Sequence, residues 1–214
     1  MAEEKALALF DFDGTMIRGD SIVAYVGFAR KKSLLSFFGY MKTWGAALLY
    51  AAGKISAEES KTRALSFRQK LSPQERDRLD RAFAQEELLP RIYPQAKACL
   101  KKHRQEGKIT LLVTASTENY MQYVSEALGF DGLLASPIDD QGRVRDNCKG
   151  EEKGKRIQGW LTSKNIQPDF KASCAYGDSK SDLPMLRLAG HPVQVNPKKK
   201  LRKAAPDMKA VSWC

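Results

Sequence analysis

Residues 6–15 read Ala-Leu-Ala-Leu-Phe-Asp-Phe-Asp-Gly-Thr. The apolar run Ala6-Leu7-Ala8-Leu9-Phe10 is strand-like and delivers two carboxylates, Asp11 and Asp13, into a Gly14-Thr15 turn. Residues i and i+2 of a strand lie on one face. With extended geometry kept to Asp13, both carboxylates point toward one place, where they repel unless a cation or a proton intervenes. The stretch is therefore a candidate metal and phosphate site. The plainer alternative is a strand closed by a solvated Asx-turn, because Asp and Gly are ordinary turn residues.

Beyond this turn the chain carries first a run of helix signals. Asp20 or Ser21 can cap a helix through Ile22–Val26. The stretch from Leu34 to Ala52 is rich in Phe, Leu, Tyr, Trp and Ala. It holds Lys42, Gly39 and Gly45 and comes after basic Arg30-Lys31-Lys32, so it lacks the uncharged length of about 20 residues that a spanning helix needs. Two readings stay open for it: a helix packed in a small helical domain, or contact with a membrane surface. Ser56-Ala57-Glu58-Glu59 matches a capping box. Ser72-Pro73-Gln74-Glu75 is a second helix start that should run toward Ala84.

Pro90 and Pro94 mark the return from this segment. A helix with Ala96, Leu100 and His103 on one face should end near Gly107. Ile109–Thr114 is a continuous apolar strand, of the kind buried on both faces, and it ends in Thr114-Ala115-Ser116-Thr117. A helix through Tyr120, Val124 and Leu128 stops at Gly129, and Leu133–Ala135 is a short strand. Ile138–Val144 reads as a hairpin with Asp140-Gln141-Gly142 at its tip. A helix over Glu151–Lys164, a strand Ala172–Asp178, a short helix Leu183–Leu188 and a strand Pro192–Val195 complete the pattern. The fold class is α/β: a Rossmann-like parallel sheet flanked by helices, with an inserted all-helical cap. The boundaries are core at 1–19 and 87–214, and cap at 20–86. Ligands of such sheets sit beyond the carboxyl ends of the strands, where Asp11, Thr114 and Asp178 stand.

The segment Gly177-Asp178-Ser179-Lys180-Ser181-Asp182 adds two acids to that crevice. Four carboxylates and a phosphate dianion in one pocket demand positive compensation. Mg²⁺ supplies it through oxygen ligands. A lysine is the second neutraliser. Lys153 is the first choice, since a cation in the first turn of a helix opposes the dipole unless an anion is near; Lys149 is the next. With 36 Lys and Arg against 25 Asp and Glu, the net charge of +11 favours phosphorylated small molecules, acidic membrane surfaces or nucleic acid. No zinc-finger or RNA-binding pattern is present, so no nucleic-acid partner is expected. The four cysteines form no C-x-x-C pair and read as reduced thiols of a cytoplasmic protein. Met1-Ala2-Glu3-Glu4-Lys5 runs into the first strand, so no signal peptide is expected.

Asp11-Phe12-Asp13-Gly14-Thr15, Thr114, Lys153 and Gly177–Asp182, in that order, resemble the four-motif pattern of the haloacid dehalogenase superfamily of phosphohydrolases. The insert after the first motif and the Asp-Leu-Pro-Met ending of the last resemble its phosphoserine phosphatase-like subfamily. The resemblance implies that Asp11 is the nucleophile, forming an aspartyl phosphate, and that Asp13 is the general acid and then the base. It implies that backbone N–H groups of Phe12–Gly14, the Thr114 hydroxyl and Lys153 hold phosphoryl oxygens, with Thr15 and Ala115 beside them. Asp11, the Asp13 carbonyl and Asp178 would ligate Mg²⁺, and Asp182 would orient the metal site or bind it directly. A proton donor at Asp13 argues for ester cleavage over dehalogenation.

Two departures bear on substrate. Asp20 stands where phosphoserine phosphatases carry a Glu that reads the substrate amino group. Ala115-Ser116 replaces Gly-Gly, and Ser181 replaces Asn. Relatives with similar inserts act on histidinol phosphate or phosphatidylglycerophosphate. The expected function is phosphomonoester hydrolysis on a small phosphorylated metabolite. The alternatives are a lipid-phosphate phosphatase at the membrane surface and a non-catalytic phospho-receiver. His103 and His191 lie too far from the motifs for a metal site. Trp44, Trp160 and Trp213 read as core or interface, and Lys198–Lys203 as a solvated helix face.

Overall fold

The computed structural model describes residues 4–139 and 141–214. Residues 1–3 of the expected leaderless N-terminus and Asp140 of the expected hairpin tip lie outside the described residues.

Six parallel strands form one sheet: β1 (Lys5–Phe10), β2 (Ile109–Thr117), β3 (Gly132–Ser136), β4 (Pro168–Gly177), β5 (His191–Val195) and β6 (Ala210–Val211), in the order β3-β2-β1-β4-β5-β6. The parallel α/β expectation is met. Period-two alternation explains why β1 sits in the middle. Ala8 and Phe10 face one apolar cluster, with Leu112, Tyr176 and Val195; Leu7 and Leu9 face another, with Leu111, Val113 and Ala175. Both faces are thus buried, as an unbroken apolar run requires. The first face is covered by α5 (Pro94–Gln105) through Ala96 and Leu100, and by α6 (Glu118–Leu128) through Tyr120, Met121 and Val124. The second is covered by α7 (Glu151–Ser163) through Ile157 and Leu161, by α8 (Leu183–Leu188) through Met185 and Leu186, and by α9 (Lys199–Ala204) through Leu201.

Between β1 and α5 lie four helices: α1 (Ser21–Lys31), α2 (Phe37–Ala51), α3 (Ala57–Leu65) and α4 (Pro73–Phe83). Their starts are chemically specified. Asp20 caps α1, its Oδ1 accepting from the N–H groups of Ile22 and Val23. Ser72 and Glu75 form the complete capping box of α4 with Pro73 at the first position, whereas Ser56 supplies only its own half of the box to Glu59. The two stems of the segment run side by side, with Ile17 bridged to Ile92 and the Tyr93 N–H donating to the Met16 carbonyl at 2.9 Å.

One expectation needs correction. The strand at 109 does not stop at Thr114: β2 continues to Thr117, with a register irregularity between Val113 and Thr117 against β3. Thr114 therefore sits at a break in the pairing rather than at a strand exit, because Thr117 re-pairs with Ser136 after the break. Helix α4 runs to Phe83, as expected, and then passes into a π turn over Ala84–Leu88 before the chain returns, with Ala84 and Leu88 both buried in the first cluster. The strand β6 matches no element expected from the sequence; two residues carry no periodicity. The Leu34–Ala52 stretch forms a helix packed on its neighbours, as one of its two readings requires: α2 lies against α3 and α1, although Ala46 is its one fully buried residue and Trp44 is 43% exposed.

Candidate active site

Strands β2, β1 and β4 are neighbours, so Thr114, at the break in β2, comes beside Asp11 and Asp178, which follow the last residues of β1 and β4. They line a cleft of about 420 Å³ together with Asp13, Lys153 and Asp182. Carboxylate oxygens of Asp11, Asp178 and Asp182 all fall within 4.8 Å of one another, and all three residues are buried.

Lys153 is 1% exposed and reaches this trio from the first turn of α7. Its Nζ donates to Asp11 Oδ1 at 2.6 Å, to Asp182 Oδ1 at 2.7 Å and to the Val113 carbonyl at 2.8 Å. The acids explain a buried cation at the wrong end of a helix dipole. Lys149 takes a different place at the mouth of the cleft, donating to the Tyr50 hydroxyl at 2.9 Å. Burial lifts the Asp11 carboxyl to about 8, with Asp182 adding repulsion and Lys153 opposing it. Burial also raises Asp178, against the pull of Lys198. Asp182 is held below the ordinary carboxylate range, because Lys153 and the Ser179 donors outweigh its own burial.

Asp13 sits two residues beyond Asp11 in a nest of donors. Its Oδ1 accepts from the Ser21 N–H at 2.8 Å, and its Oδ2 accepts from the hydroxyls of Ser21 and Ser116. The Tyr120 hydroxyl lies 3.0 Å behind Ser21. Burial, then the charge of Asp20, push the Asp13 carboxyl up to about 7 despite these donors. The group is poised to change protonation state near neutrality, as an acid–base residue requires.

The turn between the two acids departs from expectation in one detail. The Gly14 N–H donates to the Ile17 carbonyl at 2.9 Å, so it is spent inside the turn. The Phe12 and Asp13 amides have no protein acceptor among the described residues. Gly14 has a different necessity. Its φ is +81°, and a Cβ there would stand 2.2 Å from Asp178 Oδ2. Phe12 turns its ring into the core, which leaves only its backbone facing the cleft. Thr15 Oγ1 donates to Asp11 Oδ2 at 3.2 Å. Thr114 Oγ1 accepts from the Ser116 N–H at 3.0 Å and keeps its own proton for another acceptor. Ala115, Asp20 and Ser181 also line the cleft, and Ser181 pairs its hydroxyl with Ser179 at 2.7 Å.

Two cations of the cleft carry no signal in the sequence. Lys198 belongs to the basic run expected to form a solvated face, yet its Nζ pairs with Asp178 Oδ2 at 2.7 Å and its N–H donates to the Asp178 carbonyl at 2.8 Å. The rest of the run meets the expectation: Lys199, Lys200, Arg202 and Lys203 are exposed on α9, with Leu201 buried beneath them. Lys61 of α3 enters the cleft from above, donating to Asn147 Oδ1 at 2.6 Å and to the Ala115 carbonyl. Both acceptors are neutral, and burial lowers the Lys61 ammonium to about 8. Nothing in the periodicity of α3 marks Lys61; only the docking of the helix does.

Residues 8–187 match the haloacid dehalogenase-like hydrolase family. The chain belongs to that family. A histidinol-phosphatase of Neisseria meningitidis serogroup C is 28% identical over 95% of this chain and 96% of its own. The phosphoserine phosphatase SerB1 of Mycobacterium tuberculosis is 28% identical over 94% of this chain and 68% of its own. A Bordetella pertussis protein of unknown function superposes with a TM-score of 0.88 at 24% identity, over 98% of this chain and 99% of that one. The cleft of this hydrolase lies just beyond β1 and β4, beside the break in β2 at Thr114.

Proposed function

We propose that this phosphatase is a Mg²⁺-dependent phosphomonoester hydrolase acting through an aspartyl phosphate on Asp11. The observation that carries the reading is the convergence of Asp11, Asp178 and Asp182 on one point, with Lys153 their one buried cation among the described residues. An all-carboxylate oxygen set of this compactness suits a hard divalent ion. Asp11, Asp178 and the Asp13 carbonyl would hold Mg²⁺, with Asp182 orienting the set. The ion supplies charge neutralisation and polarises the phosphoryl group.

The chain's own residues do the rest. An Asp11 carboxylate oxygen attacks phosphorus as the ester P–O bond breaks, and the electron pair leaves with the ester oxygen. Asp13 gives that oxygen its proton. Asp13, now ionised, takes a proton from water, whose oxygen attacks the phosphoryl group and frees Asp11 and inorganic phosphate. Lys153, the Thr114 hydroxyl and the Phe12 and Asp13 amides are placed to hold the phosphoryl oxygens where charge accumulates.

The substrate side of the cleft is built by the helical insert. Lys61 is a half-buried ammonium facing two neutral acceptors, and Lys149 stands near it. A small phosphorylated metabolite whose leaving group carries a second anionic or strongly polar group fits this arrangement. The relatives named for phosphoserine and histidinol phosphate belong to the same size class. Turnover of p-nitrophenyl phosphate tests the chemistry: it is expected to stop with EDTA and with Asp11→Asn. Activity surviving either change removes the proposal. Lys61→Met should leave that small ester nearly unaffected and raise KM about tenfold for a carboxylate-bearing phosphate ester, equivalent to about 1.4 kcal/mol.

A further inference from the structure

Eight large apolar side chains are exposed among the described residues, and all eight fall between Val23 and Tyr50. Phe38 is 78% exposed, Leu48 70% and Phe37 57%, and Met41 and Trp44 continue the same side of α2. The spacing 37, 41, 44 and 48 is a single helical stripe. A monomer that left such a stripe in water would carry an association liability, so a contiguous patch of this kind marks a binding surface.

The charge around the stripe names the occupant. Residues 21–57 contain no Asp or Glu and hold Arg30, Lys31, Lys32, Lys42 and Lys54. Glu87 and Glu86 neutralise Lys31 and Lys32 at one end. Arg30, Lys42 and Lys54 have no carboxylate partner among the described residues, and the Arg30 guanidinium lies 5.7 Å over the Phe37 ring. An apolar stripe of Phe, Trp and Leu rimmed by cations is the composition of an interfacial helix. A second copy of this chain fits poorly. A two-fold contact would bring the same acid-free basic surface against itself. No helix among the described residues is long and apolar enough to cross a membrane.

We propose that the outer face of α2 docks on an anionic lipid bilayer, lying in its surface. The slot beneath α2 gives this a geometric consequence. Val23 and Ala47 line both the active-site cleft and an apolar slot bounded by Tyr40 and Trp44. Docking by α2 would therefore hold the mouth of the cleft at the lipid–water boundary. The inference does not depend on the proposed chemistry, and its readouts involve no turnover.

The test uses the full chain with vesicles of phosphatidylcholine alone or with phosphatidylglycerol added. Co-sedimentation should be at least tenfold stronger on the anionic vesicles and should weaken as salt rises. Trp44 emission, isolated in a Trp160→Phe/Trp213→Phe background, should shift to the blue on binding. Phe38→Ser/Leu48→Ser should lose binding at least tenfold while keeping the wild-type thermal transition, and Lys42→Glu/Lys54→Glu should also weaken it. Wild-type protein left in the supernatant at low salt overturns the proposal. So does equal binding by Phe38→Ser/Leu48→Ser, which would mean that net charge alone holds the chain to the vesicle. A concentration-dependent dimer that those two serines abolish would assign the face to a second copy instead.

Discussion

Two buried ionic clusters of this molecule differ in balance. In the insert, Arg68 meets Asp80 in a two-pronged contact, Nη1 to Oδ1 and Nη2 to Oδ2 at 2.8 Å. The Tyr25 hydroxyl and the Asn119 amide complete the shell of Asp80. One cation faces one anion, and the pair ties the Ser66–Lys70 turn to α4, α1 and α6. In the cleft, three carboxylates lie together; Lys153 bonds Asp11 and Asp182, and Lys198 reaches Asp178 from a largely exposed position. A balanced pair can be accounted for by folding alone. A surplus of buried acid cannot, because each unpaired charge in the interior carries a desolvation cost. The difference separates the cluster that holds the structure together from the one that waits for a ligand.

The comparison breaks first, if it breaks, at Arg68. Arg68→Met leaves Asp80 buried without its cation and should cost about 3–5 kcal/mol in urea unfolding. A loss under about 1 kcal/mol would show that the insert pair contributes little. Mg²⁺ should act only on the other cluster. At a hundred times its Kd it should stabilise the wild type by about 2.7 kcal/mol, and Asp178→Asn should erase the gain while Arg68→Met keeps it. Equal stabilisation in Asp178→Asn would move the ion elsewhere.

Gly14→Ala sharpens the picture of the cleft. The left-handed backbone and the collision with Asp178 together should cost about 1–3 kcal/mol and lower p-nitrophenyl phosphate turnover by an order of magnitude or more. Full activity with an undisturbed melting curve would mean that Asp178 can be displaced freely. The last test is pH. Without metal, folding raises Asp11 to about 8 and Asp13 to about 7, so the folded chain keeps protons that the unfolded chain releases near pH 4. Their contribution to stability is full below the unfolded carboxylate range and is lost as pH rises through about 7 to 8. Lys153 is pushed in the basic direction and does not titrate in this window. Unfolding free energies in EDTA at pH 5.5 and 8.5 should therefore fall with pH, and Mg²⁺ should flatten the slope. A rise with pH would reverse the assignment of surplus acid.

Much of the cleft is legible in the sequence because its residues sit in local patterns. Asp11 and Asp13 close an apolar strand, and Asp178 closes another. Lys153 occupies a helix position that its charge disfavours. These are statements about neighbours a few residues apart. Lys198 and Lys61 are not legible, since each lies in a segment rich in charge where one lysine looks like the next. The role of Gly14 is hidden for a related reason. Its freedom of φ is visible, but the carboxylate that occupies the space of its missing Cβ comes from 164 positions later in the chain. The exposure of Phe38, Trp44 and Leu48 is equally hidden, because an apolar helix reads alike whether its face is covered or bare.

The sequence alone determined the parallel α/β core, the order of its central elements and the identity of the acids at their ends. Apolar periodicity, caps and turn residues act over short distances, and they agree with one another along most of the chain. Only the tertiary structure decided that Lys198 and Lys61 join Lys153 in the cleft, which amides of the first turn remain open and which face of α2 meets solvent. Those outcomes depend on which distant surfaces are brought together, and a side chain carries no mark of its partner until the strands and helices are in place.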